Sequence, residues 1–226
     1  MAHRDVALAF DVNETLLDLR ALDQPFEQVF GDAAARGQWF QQLLQSALVT
    51  TVTGAYADFG ALGRAALSMV AARRGRQLTE DETNLILGTV RRMPPHPEVR
   101  EALERLRSAG FRMTTLTNST EAVAQAQLEH AELASLFERT LSADQVRRLK
   151  PAPEPYWMAA RELGVEVDSL WLVAAHSWDV AGALAAGCRA AFVARPGMVL
   201  DPVAPAPEVV GRDLGEVADQ LLDRAR

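Results

Sequence analysis

A short apolar run, Val6 to Phe10, ends in Asp11, and Thr15 follows four residues later. An uninterrupted apolar run suits a strand buried on both faces of a parallel sheet. Asp11 then sits at the carboxyl end of that strand, where open α/β sheets place their ligands. A carboxylate there is a candidate nucleophile; it is equally a strand-end residue that caps the next turn. Val12 and Asn13 offer backbone N–H groups beside it. Thr117 and Asn118 end the second expected core strand. A hydroxyl, an amide and a following helix N-terminus can together hold an anion, and a capped turn is the plain alternative. The segment Trp171 to Asp179 carries His176, which titrates near neutral pH and can bond a substrate or a water. A satisfied structural histidine fits that position as well. Asp179 is a proton acceptor or the N-cap of a helix from near Val180. Lys150-Pro151, taken alone, reads as an exposed turn.

The elements that would position these residues alternate from Phe111 onward. Strands are expected at Phe111–Thr117, Arg139–Ser142, Leu170–Ala174, Ala190–Ala194 and Glu208–Gly211. Helices are expected at Glu98–Ser108, Glu121–Glu132, Pro155–Leu163, Val180–Ala186 and Gly215–Arg224, with Gly110 and Gly164 as terminators. The alternation predicts an α/β fold, a Rossmann-like parallel sheet with helices on both faces. Residues from about Arg20 to Arg92 differ, because apolar residues recur there at helical spacing and no strand pattern is found. Phe40, Leu43, Leu44, Ala47 and Leu48 form one stripe, and Leu62, Ala65, Ala66, Met69 and Val70 another. Thr79 to Glu82 has the capping-box pattern, and Pro94-Pro95-His96-Pro97 is a stiff linker. The expected organisation is an α/β core of residues 1–19 and 95–226 with an all-helical insert of residues 20–94.

The chain's 226 residues suit one large domain or a core carrying an insert. A net charge of −7 argues against nucleic acid or an anionic membrane as partner, while small anionic substrates stay compatible. Cys188 is the only cysteine, so no intrachain disulfide forms; this fits a reducing, cytoplasmic setting. Neither a signal-peptide pattern nor an uncharged apolar stretch of membrane-spanning length is found, so no membrane contact is expected.

In order and spacing, Asp11 with Thr15, Leu116-Thr117-Asn118-Ser119, Lys150-Pro151 and Trp171 to Asp179 resemble the haloacid dehalogenase superfamily. That family sets an Asp, a Ser/Thr, a Lys and an acidic loop at neighbouring strand ends. Lys150 to Tyr156 and Ser177-Trp178-Asp179 look most like its L-2-haloacid dehalogenase branch. The resemblance covers nearly the whole chain, and the helical insert looks like the family's cap. It implies hydrolytic conversion of short-chain 2-haloalkanoic acids to 2-hydroxy acids, without metal or cofactor. Asp11 would attack carbon 2 and expel halide, and water would then hydrolyse the ester at the Asp11 carbonyl carbon. Thr15 would orient Asp11, and Lys150 would keep it ionised. Asp179 would take a proton from water or orient Lys150, and His176 would bond substrate or water. Val12, Asn13, Trp39, Thr117, Asn118, Tyr156 and Trp178 are the expected substrate- and halide-binding residues. The expected partners are the 2-halo acid, water and, in a homodimer, a second copy held through stretches such as Ala47 to Val52 and Ala65 to Ala72.

The chain also departs from its relatives. Metal-dependent phosphatases of the superfamily carry a second Asp where Asn13 stands, and several acidic residues where the Ala174-to-Asp179 loop has one. Both losses disfavour a magnesium site and phosphoryl transfer. Asn13-Glu14-Thr15 replaces aromatic-Gly-Thr, and Ala174 and His176 stand where Ser and Asn are usual. A cap arginine common near the position of Trp39 is missing, and Arg36, three residues earlier, is expected to point elsewhere on its helix. His176 with Trp39 is expected to supply the missing pocket groups. The competing readings are an atypical Mg-dependent phosphatase of the same fold and a non-catalytic binding protein.

Overall fold

A computed structural model describes residues 6–224 of the chain. In chain order the elements are β1 (Ala7–Phe10), α1 (Asp23–Phe30), α2 (Ala35–Thr53), α3 (Phe59–Arg73), α4 (Glu80–Val90), α5 (Val99–Ser108), β2 (Arg112–Thr117) and α6 (Glu121–His130). Then come β3 (Arg139–Ser142), α7 (Pro153–Leu163), β4 (Leu170–Ala174), α8 (Ser177–Ala185), β5 (Arg189–Val193), β6 (Val209–Gly211) and α9 (Leu214–Arg224). The strands make one parallel sheet in the order β3-β2-β1-β4-β5-β6. The expected α/β fold is the observed one.

Alternation along β1 explains the two layers. Leu8 and Phe10 join a core that includes Leu103, Leu106, Leu214 and Leu221 of α5 and α9. Ala7 and Ala9 face the opposite core, with Tyr156, Met158 and Ala159 of α7 and Val180 and Ala183 of α8. Small residues on that face let α7 and α8 lie close to the sheet. Strand order reverses direction at β1, so the crevice above β1, β2 and β4 is where such a sheet receives ligands.

Between β1 and β2 the chain makes four helices, α1 to α4, before returning through α5. Helix α2 buries Trp39, Leu43 and Ala47 at four-residue spacing. Thr79 and Glu82 close a capping box at the start of α4. The outgoing and returning chains run side by side. The Asp18 amide donates to the Pro94 carbonyl at 2.8 Å, the His96 amide donates to the Leu16 carbonyl at 3.0 Å, and Leu17 and Pro95 form an antiparallel bridge between them.

One expected boundary moves with chemical consequence. Helix α8 begins at Ser177 with His176 as its N-cap, so Asp179 lies inside the first turn and does not cap the helix. Its carboxylate turns inward instead, for the reason given next.

Candidate active site

Asp11 directly follows β1, and its amide extends the ladder to the Val173 carbonyl at 3.0 Å. Both carboxylate oxygens are held. Lys150 Nζ donates to Oδ1 at 3.0 Å and Thr15 Oγ1 donates to Oδ2 at 2.7 Å. Thr15 is fixed in turn, its Oγ1 accepting from the Ala175 amide at 2.9 Å. Lys150 is 1% exposed. Its three protons go to Asp11, to the Leu116 carbonyl at 2.8 Å and to Asp179 Oδ2 at 2.5 Å. The Tyr156 hydroxyl donates to Asp179 Oδ1 at 2.6 Å. These contacts form one chain, Thr15–Asp11–Lys150–Asp179–Tyr156, rooted on four elements of the core.

Charge sets the ionisation of that chain. Burial alone drives Asp11 upward, but Lys150 and His176 outweigh it and hold the carboxyl well below its usual range. Burial would lower Lys150, yet Asp11 and Asp179 keep it raised and charged. Asp179 moves up, because burial and the Asp11 charge exceed the pull of Lys150. The site therefore presents an ionised, fixed Asp11 and a more basic carboxylate behind it.

His176 lies on the other side of Asp11. Its Nδ1 is 3.4 Å from Asp11 Oδ2, and its Nε2 is 2.9 Å from Glu14 Oε2. Burial lowers its pKa, but the two carboxylates prevail and push it up to about 9. Its ring stacks on Trp178, with centroids 5.3 Å apart, and meets Phe40 at 5.9 Å. Lys150 Nζ is 5.9 Å from the Trp178 ring centroid.

Other expected contacts resolve differently. Asn118 does not point at an open anion site; its Oδ1 accepts from the Lys150 amide at 2.8 Å and its Nδ2 donates to the Lys150 carbonyl at 3.3 Å. It clamps the backbone that delivers the lysine. Thr117 Oγ1 accepts from the Ser119 amide at 3.2 Å, a turn closure. Asn13 is engaged on both sides, donating to Ser119 Oγ at 3.1 Å and accepting from Gln127 Nε2 at 2.9 Å. Tyr156 is fully buried behind Asp179 and does not line a pocket. Val12 is buried, and its carbonyl accepts from the amides of Leu16 and Leu17. Trp39 donates its indole N–H to the Gly63 carbonyl at 2.9 Å and packs on Phe26 and Phe40, so it ties α2 to α3. It does not meet His176; Phe40, the next residue, does. A cavity of about 870 Å³ lies between α2, α3, α4 and the loops after β1 and β2. Asn13, Trp39, Phe40 and Ser119 line it. Asp11 does not line it.

Three residues at the site escaped sequence reasoning. Glu14 is held in the left-handed region at φ 63° and turns its side chain onto His176. Arg36 points elsewhere than Trp39: its Nη1 lies 4.0 Å from Glu14 Oε1, while its Nε bonds Asp23 at 2.5 Å. Arg195, buried, donates to the Thr15 carbonyl at 2.8 Å and pairs with Glu98 at 2.6 Å. All three contacts join residues distant in sequence or on different elements. Only the unusual Glu14, in a turn after the strand, was a readable signal.

A magnesium ion does not fit this donor set. Lys150 Nζ fills the space between Asp11 and Asp179, and among the described residues no three His, Cys, Asp or Glu side chains are placed to hold a metal ion together.

The sequence matches the haloacid dehalogenase-like hydrolase family over residues 6–187. It is 31% identical over 221 residues to an (S)-2-haloacid dehalogenase from Pseudomonas putida, covering 96% of this chain and 97% of that one. It is 27% identical to a haloacetate dehalogenase from Moraxella sp., covering 89% and 91%. The structure is similar to that of L-2-haloacid dehalogenase from Xanthobacter autotrophicus with chloropropionic acid covalently bound. That likeness has a TM-score of 0.90 at 25% identity and covers 98% of this chain and 99% of that one. With the Asp–Thr–Lys–Asp chain assembled at the strand ends and a family match over most of its length, this chain belongs to the haloacid dehalogenase-like hydrolases.

Proposed function

We propose that this protein is a hydrolytic dehalogenase of short 2-halo carboxylic acids, forming 2-hydroxy acids through an ester on Asp11. The observation that carries the reading is the buried Asp11 carboxylate, ionised and held by Lys150 and Thr15. Fixing the nucleophile and shielding it from water supplies what a free carboxylate lacks. An Asp11 oxygen attacks carbon 2, and the carbon–halogen bond electrons leave with the halide. Water then adds to Asp11 Cγ, with Lys150 balancing the developing oxyanion. Asp179 takes the proton of that water, and Tyr156 orients Asp179. Collapse breaks the bond from Cγ to the 2-oxygen, which takes the proton back from Asp179 and leaves as the 2-hydroxy acid, while the second proton of the water passes to solvent and Asp11 is restored as a carboxylate. The Asn13, Phe40 and Ser119 side of the cavity is the approach for the substrate, and the Val12 and Asn13 amides face its carboxylate.

We further propose a core of residues 1–19 and 95–226 and a cap of residues 20–94. The paired crossing at Leu17 and Pro95 supports this division. A second copy docks on the cap in this reading, supported by exposed Leu48, Val49, Val52 and Met69. We place the protein in the cytoplasm, supported by its one, free cysteine. No described helix is long and apolar enough to cross a membrane.

A single turnover in ¹⁸O-water tests the chemistry. The label is expected in Asp11, with the released 2-hydroxyl unlabelled. Label in the 2-hydroxyl instead means that water attacks carbon 2 directly and removes the ester from the reading.

A further inference from the structure

The cavity between the helical insert and the core is larger than a short acid requires. Its volume of about 870 Å³ is in the range that encloses drug-sized ligands. Much of its wall is apolar, with Leu43 of α2, Phe59 of α3, Leu87 of α4 and Val123 of α6. Gly88, inside α4, lies on the same wall, and a Cβ there would meet nothing within 4 Å. Room is thus kept at a position where glycine weakens the helix.

The charge of this cavity is as uneven as its size. The chain holds 30 acidic residues against 23 lysines and arginines, yet among the described residues no acidic side chain lines the cavity. Arg64, Arg91, Arg92 and His130 do line it. Arg64 is tied to Glu80 at 3.0 Å. Arg91 and Arg92 directly follow α4, and neither guanidinium has a hydrogen-bond or ion-pair partner among the described residues. Cations suit the C-terminal end of any helix, but that role does not clear acids from a cavity. Two unpaired guanidiniums beside an acid-free apolar space fit a ligand with an anionic group on an apolar chain.

We propose that Arg91 and Arg92 bind a second anionic group at the far end of the substrate, so that this enzyme also takes 2-halo acids whose longer apolar chain ends in a carboxylate. The inference rests on the dehalogenase reading and extends its substrate class beyond short acids. Such an acid enters past Asn13, Phe40 and Ser119, its carbon 2 reaches Asp11, and its tail stays behind in the cavity. Leu43, Phe59, Leu87 and Val123 cover the methylenes, and the two guanidiniums meet the terminal carboxylate. The bonds made and broken at Asp11 are the same as for a short acid. Arg91 and Arg92 are exposed, so their pairing with the tail is weakened by salt.

Halide release from 2-bromopropionate, 2-bromooctanoate and 2-bromooctanedioate, at low and high salt, tests the assignment. At low salt kcat/KM for the dioate should exceed that for the octanoate by roughly three- to tenfold, the scale of one or two exposed charge pairs. High salt should shrink that margin, and Arg91→Gln with Arg92→Gln should remove it. Gly88→Leu, which fills the open space and favours the helix, should lower kcat/KM for both eight-carbon acids relative to 2-bromopropionate. Equal values for octanoate and dioate in the wild type, a margin that survives the double variant, or an unchanged ratio in Gly88→Leu overturns the site. Calorimetry with unhalogenated octanedioate and octanoate makes the same comparison without turnover. If the wild type releases no halide from any of the three acids, the dehalogenase reading falls and calorimetry judges the site alone. Tighter binding of the diacid that the double variant loses then upholds the site, and equal binding overturns it.

Discussion

Lys150 is the residue on which the site's charge depends. Its ammonium is enclosed and donates to Asp11, Leu116 and Asp179. Lys150→Met would leave two buried carboxylates facing each other without a cation. Breaking a buried pair from one side costs about 3–5 kcal/mol. Urea unfolding should show a loss on that scale, and the acid limb of kcat/KM should move to higher pH as Asp11 loses its cation. An unchanged acid limb would show that Asp11 is held ionised by other groups. His176 gives a prediction of opposite sign. Its folded pKa, about 9, lies above its ordinary 6.5. The carboxylate contacts therefore stabilise the fold fully below about pH 6.5, and that share fades as pH rises through 9. Wild type should lose stability relative to His176→Asn across this window, and halide release should fall above about pH 9. A flat difference between the two proteins would place His176 as neutral throughout.

The elements that hold these residues depend on close approaches that only small side chains permit. A Cβ on Gly182 of α8 would lie 2.5 Å from Pro151 Cβ and 2.7 Å from the Tyr156 hydroxyl oxygen. Gly182→Ala should push α8 away from the lysine turn and cost about 1–3 kcal/mol, read as a lower Tm together with a lower kcat. Loss of neither would mean that the turn yields freely. The same elements show what the sequence made readable. The apolar run Leu170–Ala174 coincides with β4, because a buried parallel strand is written as a continuous run. Asp11 ends the run Val6 to Phe10 and Asp179 follows the run at β4, whereas Thr15 and Lys150 were readable only through the order and spacing of the four segments together. Of the two roles open to Asp179, the contact with Lys150 is the one observed and the helix cap is not, since a buried cation draws its carboxylate inward. Trp39 and Phe40 are neighbours about 100° apart on α2, and only tertiary packing decides which of them meets His176. Glu14 and Arg36 meet across the connection from strand to helical insert, a pairing that no local pattern encodes.

At the scale of the molecule, exposed large apolar side chains fall partly on the helical insert and partly on the core, at Trp157, Val199, Val203 and Val210. Leu48, Val49 and Val52 on α2 and Met69 on α3 are all exposed, with Val52 at 85%. Scattered exposed apolar residues are ordinary, and the group on one end of α2 is the candidate contact for the proposed second copy. The double variant Leu48→Glu, Val52→Glu should convert a dimer to a monomer in light scattering while leaving halide release nearly intact. A wild type already monomeric at high concentration would remove the homodimer from the reading.

The side-by-side crossing at Leu17 and Pro95 also bears on how such a chain is assembled from parts. The excursion through α1 to α4 leaves and re-enters the sheet at adjacent points, stitched by the Asp18–Pro94 and His96–Leu16 backbone bonds. A segment with neighbouring ends behaves as a cassette: its length and contents can vary while the sheet keeps its registration, because closing the gap demands little of the chain on either side. Glu14 lies just before this seam, its carbonyl 3.2 Å from His96 Nε2 on the returning chain. Exchanging the cassette would therefore reset the surroundings of Glu14 and His176 while the nucleophile and its lysine stayed in place, so selectivity and chemistry can evolve on separate pieces of the same polypeptide.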